Sequence, residues 1–183
     1  MNREEALVLV KEKVSNQNLI KHMIAVGAIM KGLARRLGED ENLWEVVGIL
    51  HDIDYEETKD NWKEHALKSA KMLEGKLPEE ALYAIKAHNF ENTGVMPKKE
   101  MDYALIASDA LSGLIVASAL VMPSKKLEEV RVETLMKKFK SKDFARKVSR
   151  ENILYCEKLG LSLQEFLEIG LNAMKEVSEE LGL

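Results

Sequence analysis

With 183 residues and no Pro-, Gly- or Ser-rich linker, the chain is long enough for a substantial core, and we predict one domain over residues 1–183. Hydrophobic residues make up 46%, charged residues 32% and aromatic residues only 5%, which favours an all-α fold. The chain has no run near the ~18 apolar residues of a membrane span, no basic start typical of a signal peptide, and one cysteine. We therefore predict a cytoplasmic protein with no membrane contact and no disulfide.

Apolar residues spaced three and four positions apart predict helices along most of the chain. Gly38 and Gly75 are expected to end two of them, and Ser162 with Glu165 forms a capping box that opens the last. The polar segments 53–61 and 90–97 are predicted to be loops at the mouth of a site. The predicted helices cover residues 3–14, 18–37, a segment ending at His51-Asp52, 62–74, a segment from Pro78 to His88, 99–122, 125–140, 143–158 and the chain from 163 onward.

All four histidines of the chain fall on inward positions of predicted helices. One such histidine is more often a core residue with a hydrogen-bond partner, but four of them together with two inward aspartates indicate a metal site. The set is His22, His51, Asp52, His65, His88 and Asp109.

Imidazole and carboxylate ligands suit divalent Fe, Mn, Ni, Co or Zn without selecting one, and Mg is also compatible. Six ligands exceed what one ion takes while keeping positions for water and substrate. A site with two ions is therefore predicted. Asp52 is the predicted bridge, because a carboxylate offers two oxygens and a neutral imidazole cannot span two ions.

The order His22, His51-Asp52, Asp109 resembles the His…His-Asp…Asp pattern of the HD-domain superfamily of metal-dependent phosphohydrolases. The run His51-Asp52-Ile53 resembles the HD-Ile-Gly version of that motif. The resemblance implies an orthogonal helical bundle with a metal-site core over about residues 18–122, followed by a basic helical segment and a C-terminal helix over 124–183. It implies that His22, His51, Asp52 and Asp109 bind a first metal.

By the same resemblance, Asp52 bridges to a second metal bound by His65 and His88. The chain departs from the pattern at two places. Asp54 stands where the motif has glycine, and it is interpreted as a solvent-facing loop acid or an added carboxylate near the metals. His88 is followed by Asn89 with no Gly-Tyr-Pro, which argues against cleavage of cyclic dinucleotides.

The resemblance implies hydrolysis of a phosphomonoester or phosphodiester, with a nucleotide or related small molecule as substrate and Asp52 and His51 as the catalytic pair. Metal ions would activate a water and neutralise phosphoryl charge. The alternatives are a non-catalytic metal- or ligand-binding module on the same scaffold, or a di-iron oxygenase. The candidates for substrate contact are Asn89, Lys98, Lys99, Arg146 and Arg150.

Charge is distributed unevenly along the chain, and the predicted partners follow from that. Residues 125–150 contain ten Lys or Arg and four Asp or Glu, although the net charge of the whole chain is −4. Such a segment can attract a phosphorylated ligand, but it is typical of solvated helices. Because the chain is acidic overall and poor in aromatics, nucleic acid is not the expected partner. The sequence does not indicate an oligomeric state.

Overall fold

The computed structural model describes residues 1–183, and every regular element in it is a helix, which confirms the all-α prediction. Two 3₁₀ helices, Leu127–Glu129 and Leu154–Leu159, accompany the α-helices. The α-helices are α1 (Arg3–Lys13), α2 (Gln17–Leu37), α3 (Glu41–Leu50), α4 (Tyr55–Thr58), α5 (Leu67–Met72), α6 (Glu79–His88), α7 (Phe90–Thr93), α8 (Glu100–Leu120), α9 (Val132–Lys140), α10 (Arg150–Ile153), α11 (Leu163–Glu176) and α12 (Ser178–Leu181).

Helix ends follow the capping signals of the sequence. The Asp40 side chain accepts a hydrogen bond from the backbone N–H of Leu43 at the start of α3, and Ser162 and Glu165 form the predicted capping box of α11. Gly38 ends α2 in the left-handed conformation at φ +73°. The predicted bounds of α1, α2, α6 and α8 are therefore confirmed to within two residues.

Helices α2 and α8 form the centre of the bundle. Helix α2 packs on α3, α8 and α11, whereas α8 packs on α2, α6 and the C-terminal elements. By length and composition α8 resembles a membrane span, but most of it is buried in this bundle, as in a core helix. The approach of α2 to α3 is closest at two glycines, because a Cβ atom added to Gly48 would lie 2.6 Å from Gly27 Cα. This contact fixes the distance between the two helices.

Two predicted elements near the histidines are wrong in detail. The segment 53–61 is not a solvent-facing loop, because Asp54 and Thr58 are fully buried and α4 forms within it. The helix predicted over 62–74 begins only at Leu67, so Trp62 is exposed and His65 lies in a turn. The reason is local: Ala66 adopts φ +77°, which no α-helix accommodates, while Asp54 binds the backbone there.

The basic segment also differs from the two long helices that were predicted. A 3₁₀ turn and α9 occupy the first half, while residues 142–147 form turns and only α10 and a second 3₁₀ helix follow. The Arg150 guanidinium binds the backbone carbonyls of this turn, so these carbonyls have hydrogen-bond partners without a continuous helix.

Candidate metal centre

Six predicted ligands converge on one place in the bundle, and they come from five parts of the chain. His22 lies in α2, His51 caps the C-terminus of α3, His88 ends α6, and Asp109 lies midway along α8. Asp52 and His65 lie in turns. The ligand atoms of the first group, His22, His51, Asp52 and Asp109, lie within 4.8 Å of one another, as do those of the second group, Asp52, His65 and His88.

The first group has the spacing of ligands around a single ion. His22 Nε2 lies 2.9 Å from Asp109 Oδ1 and 3.4 Å from Asp52 Oδ2. His51 Nε2 lies 3.2 Å from Asp52 Oδ2 and 3.5 Å from Asp109 Oδ1. Ligands about 2.1 Å from an ion, at octahedral or tetrahedral angles, lie about 3.0 to 3.4 Å apart. The four atoms therefore fit a common divalent ion.

The second group uses the other oxygen of Asp52. His65 Nε2 and His88 Nε2 each lie 3.2 Å from Asp52 Oδ1. The Asp52 side chain is 7% exposed, so both of its oxygens face protein groups. This carboxylate stands between the two groups with one oxygen toward each, which is the geometry that a bridging carboxylate needs.

The other ring nitrogen of each histidine has a partner of its own. Nδ1 of His51 donates to Gly48 O at 2.6 Å, and Nδ1 of His88 donates to Ile85 O. Because a carbonyl oxygen can only accept, the neutral rings have their lone pair on Nε2, toward the aspartates. Nε2 of His51 is buried and has no hydrogen-bond partner. A buried lone pair that faces carboxylate oxygens fits a cation between them.

The electrostatics of the cluster also favour cations. Burial alone would lower the pKa of His22, but its hydrogen bonds to Asp109 and Asp52 raise that pKa to about 9. The pKa of His65 is raised to about 9 in the same way, against burial, by Asp52 and Asp54. Conversely, the neighbouring histidines outweigh burial and keep the pKa values of Asp52 and Asp109 well below their usual range. Divalent ions can replace the protons that these carboxylates attract.

The residues predicted to contact substrate lie in different parts of the molecule. Asn89 lines the cavity of about 460 Å³ that contains the cluster, but its side-chain NH₂ donates to Trp62 O and His65 O and so supports the His65 turn. Lys98 and Lys99 line other cavities, away from the cluster residues. Arg146 is exposed on a turn. Of these residues, only Asn89 reaches the cavity of the metal cluster.

Arg150, another predicted substrate contact, has its guanidinium engaged by backbone carbonyl oxygens. Its Nε, Nη1 and Nη2 atoms donate to the carbonyl oxygens of Lys138, Phe139, Ser141, Phe144, Ala145 and Val148. A guanidinium has five N–H donors, and all three nitrogens are engaged here. Arg150 therefore holds the turn after α9 and has no donor to offer a ligand.

Sequence reasoning missed several residues of the cavity wall. Asn16, Asn18 and Tyr55 line it, and the Tyr55 ring packs edge-on against the His65 ring at 5.6 Å between centroids. The sequence could have identified Asn16 as a helix N-cap, since an asparagine is preferred there, and its side chain does accept a hydrogen bond from Leu19 N. None of the ten residues that line this cavity is Lys or Arg.

A second cavity shares Asn18 and His22 with the first. It has a volume of about 590 Å³, and apolar or small side chains from α2, α8 and α12 form most of its wall. Lys21 is the one Lys or Arg in its lining. We call it the apolar groove; its other lining residues are Ala25, Ser112, Gly113, Val116, Ala117, Leu120, Leu181, Gly182 and Leu183.

The single cysteine lies outside both cavities. Cys156 is fully buried, as predicted, and burial with the nearby Glu157 carboxylate raises the pKa of its thiol to about 11. It is therefore no candidate nucleophile.

Known proteins match the part of the chain that contains the cluster. A family model described as HD domain matches residues 19–117, which include all six clustered residues. Ribonuclease Y of Desulfotalea psychrophila is 27% identical in an alignment of 172 residues that covers 90% of this chain and 32% of that protein. The chain thus spans about a third of the length of this curated relative. No solved structure matches the chain at a significant level.

Proposed function

This chain belongs to the HD-domain family, and on that premise we propose that it is a phosphohydrolase with two divalent ions, acting on a small phosphomonoester or phosphodiester such as a nucleotide. The observation that carries the proposal is the position of Asp52. Its Oδ2 lies 3.2 Å from His51 Nε2 and its Oδ1 lies 3.2 Å from His65 Nε2, so one carboxylate serves both groups. A buried carboxylate among four imidazoles has no comparable use in packing.

Ions bound by the two groups would supply Lewis acidity, which lowers the pKa of water and neutralises charge on a phosphoryl oxygen. The chain provides the geometry. The His51 and His88 rings are held by carbonyl oxygens of their own helices, so their Nε2 atoms need no reorientation. Asp52 fixes the separation of the two ligand groups. Such preorganised ligands lower the reorganisation that accompanies reaction.

Access to the cluster is from one side. The His51 side chain is 0% exposed, whereas the side chains of His22 and Asp109 are 28% and 34% exposed. The phosphate of a substrate would therefore approach past His22 and Asp109. The apolar groove begins at His22, so an organic group attached to that phosphate would lie along it. This arrangement supports a substrate with a charged end and an apolar or planar end.

The charges of the two cavities favour a small substrate. Lys21 is the one Lys or Arg among the lining residues of both cavities. A long nucleic acid is bound through many phosphates, each of which needs a cationic partner. The relative's name, Ribonuclease Y, refers to that longer protein, and RNA is a substrate to be tested against small molecules here.

The test combines metal analysis with a substrate screen. The full chain is loaded in turn with Mn²⁺, Co²⁺, Ni²⁺, Fe²⁺, Zn²⁺ or Mg²⁺ and assayed with p-nitrophenyl phosphate, bis-p-nitrophenyl phosphate, nucleotides and short RNA. We expect hydrolysis of a small ester, and a loss of at least about 10³-fold in Asp52→Asn, in line with the loss of one electrostatic group at an active site. Two bound ions without hydrolysis of any substrate would favour the non-catalytic module. Hydrolysis that persists in Asp52→Asn would contradict the proposed site.

A further inference from the structure

Asp54 is a fully buried carboxylate two residues after the bridging Asp52. Its Oδ1 accepts a hydrogen bond from His65 Nδ1 at 2.7 Å. Its Oδ2 accepts from the backbone N–H groups of Ala66 at 2.8 Å and Ser69 at 2.9 Å. A second hydrogen bond joins Asp54 to Ser69, because Asp54 N donates to Ser69 Oγ at 3.1 Å. The sequence motif that this chain resembles has glycine at this position, so the motif does not account for these bonds.

The turn that contains His65 lies outside the regular helices. His65 precedes α5 and is not helical, and the next residue, Ala66, is at φ +77°, a region that costs a non-glycine residue about 1–2 kcal/mol. A ring in such a turn has no helix to fix its direction. The three hydrogen bonds to Asp54 and those from Asn89 to the backbone of Trp62 and His65 fix it instead.

The same bonds determine which nitrogen of His65 faces the cluster as an acceptor. An ionised carboxylate can only accept, so Nδ1 must carry the proton that it donates to Asp54. The lone pair of the neutral ring is then on Nε2, which lies 3.2 Å from Asp52 Oδ1. His51 and His88 obtain the same tautomer from carbonyl oxygens. His65 obtains it from a side chain.

We propose that Asp54 is a positioning residue for the second ion: it fixes the His65 ring and its tautomer so that Nε2 can bind that ion beside Asp52. This inference rests on the proposed two-ion site. It assigns to this chain a carboxylate–histidine–metal arrangement that the glycine of the motif cannot provide.

The variant Asp54→Asn separates positioning from packing, because it changes no volume. The amide has one oxygen, and the two backbone N–H groups of Ala66 and Ser69 compete for it. Leaving both of these buried donors unpaired would cost about 1–3 kcal/mol each, so the oxygen should stay with them. The amide NH₂ then faces His65 Nδ1 and donates to it. That reversal moves the ring proton to Nε2 and removes the lone pair from the ion.

The matched control is Asp102→Asn. Asp102 is also buried, and its Oδ2 also accepts from two backbone N–H groups, those of Lys98 and Lys99, but it contacts no histidine. Calorimetric titration with Zn²⁺ measures the number and affinity of ions in each variant. We expect Asp54→Asn to weaken the second ion by about 10- to 100-fold, the range seen for outer-shell partners, while the first ion is unaffected. Asp102→Asn should bind both ions as the wild type does.

The ring protons of the wild type give an independent measurement. In zinc-loaded protein with ¹⁵N-labelled histidine, we expect His65 to show a protonated Nδ1 and a coordinated Nε2, even if Asp54→Asn fails to fold. A protonated Nε2, wild-type affinity in Asp54→Asn, or a wild type that binds only one ion would each overturn the inference. Two ions bound by the wild type with no hydrolysis would overturn the proposed function alone.

Discussion

Replacing Gly48 with alanine should separate α3 from α2 and damage the metal site from a distance. A Cβ atom at this position would lie 2.6 Å from Gly27 Cα, 2.8 Å from Gly27 N and 2.9 Å from Val26 C. All three are backbone atoms of α2, so no side-chain rotation can make room. For these contacts to reach the ordinary range of 3.4–4 Å, α3 must withdraw by about 1 Å.

Two opposing effects determine how far Gly48→Ala changes the free energy of unfolding. Overpacking a core costs about 1–3 kcal/mol, and the upper end applies because the obstructing atoms are backbone. Removing a glycine from a helix interior recovers up to about 1 kcal/mol, so the free energy of unfolding should fall by about 2 kcal/mol. His51 and Asp52 move with α3 while His22 stays on α2. Because ligand distances tolerate only about 0.2 Å, the first ion should bind at least about 10-fold more weakly.

The assay is denaturant unfolding of the metal-free protein, followed by ion titration. Gly113→Ala is the control, because Gly113 also lies inside a ligand-bearing helix, but its added Cβ would meet only Val148 Cγ2, at 3.1 Å. That methyl can move, so we expect the free energy of unfolding to stay the same or to rise by up to about 1 kcal/mol. If Gly48→Ala unfolds at the wild-type denaturant concentration and binds the first ion equally well, the close contact does not position the site.

Two further predictions concern protons and the basic segment. The metal-free protein has His22 and His65 pKa values of about 9, so both rings are protonated near pH 7.5, and Asp52 and Asp109 also raise the pKa of His51. Ion binding should therefore release at least two protons, measured by calorimetry in buffers of different ionisation enthalpy. The pKa values of His22 and His65 lie above the unfolded value of about 6.5. The stabilisation that these protonated rings give the metal-free protein should therefore be complete below about pH 6.5 and be lost as the pH rises through about 9, whereas the affinity for ions should rise over the same range. A binding enthalpy that is independent of the buffer would contradict the predicted proton release. Arg150→Lys should lower the free energy of unfolding by about 2 kcal/mol, because lysine cannot span the carbonyls that the guanidinium binds. Arg146→Lys, at an exposed position, should change it by less than about 0.5 kcal/mol, and equal effects of the two substitutions would show that the carbonyl contacts are dispensable.

Most of the helices and four of the six clustered residues, His22, His51, His88 and Asp109, were predictable because helical periodicity reports which side of a helix faces inward. His22 and Asp109 lie on long regular helices, where three- and four-residue spacing is reliable. His51 and His88 end their helices as expected. The resemblance of His51-Asp52 to a known motif then added the order of the ligands, which no periodicity contains.

The features of the fold and site that were not predicted depend on contacts between segments that are distant in the sequence. By its composition the polar run around Asp54 looks solvent-exposed, yet Asp54 and Thr58 are buried. Their hydrogen-bond partners His65, Ala66 and Ser69 lie more than six residues away, so the local sequence does not reveal them. Arg150 looked like a surface cation for the same reason. Its six carbonyl partners belong to a turn whose shape exists only after the chain has folded.

The two groups of ligands are built on elements of unequal stiffness. His22 and Asp109 lie within the 21-residue helices α2 and α8, which anchor the core. His65 lies in a turn that is held by the side chains of Asp54 and Asn89 and is followed by an alanine at φ +77°. Local opening concentrates where hydrogen bonds are few and backbone is strained. We therefore expect the ions of the proposed site to load in sequence, the first into a preformed set of ligands and the second only when the His65 turn is closed.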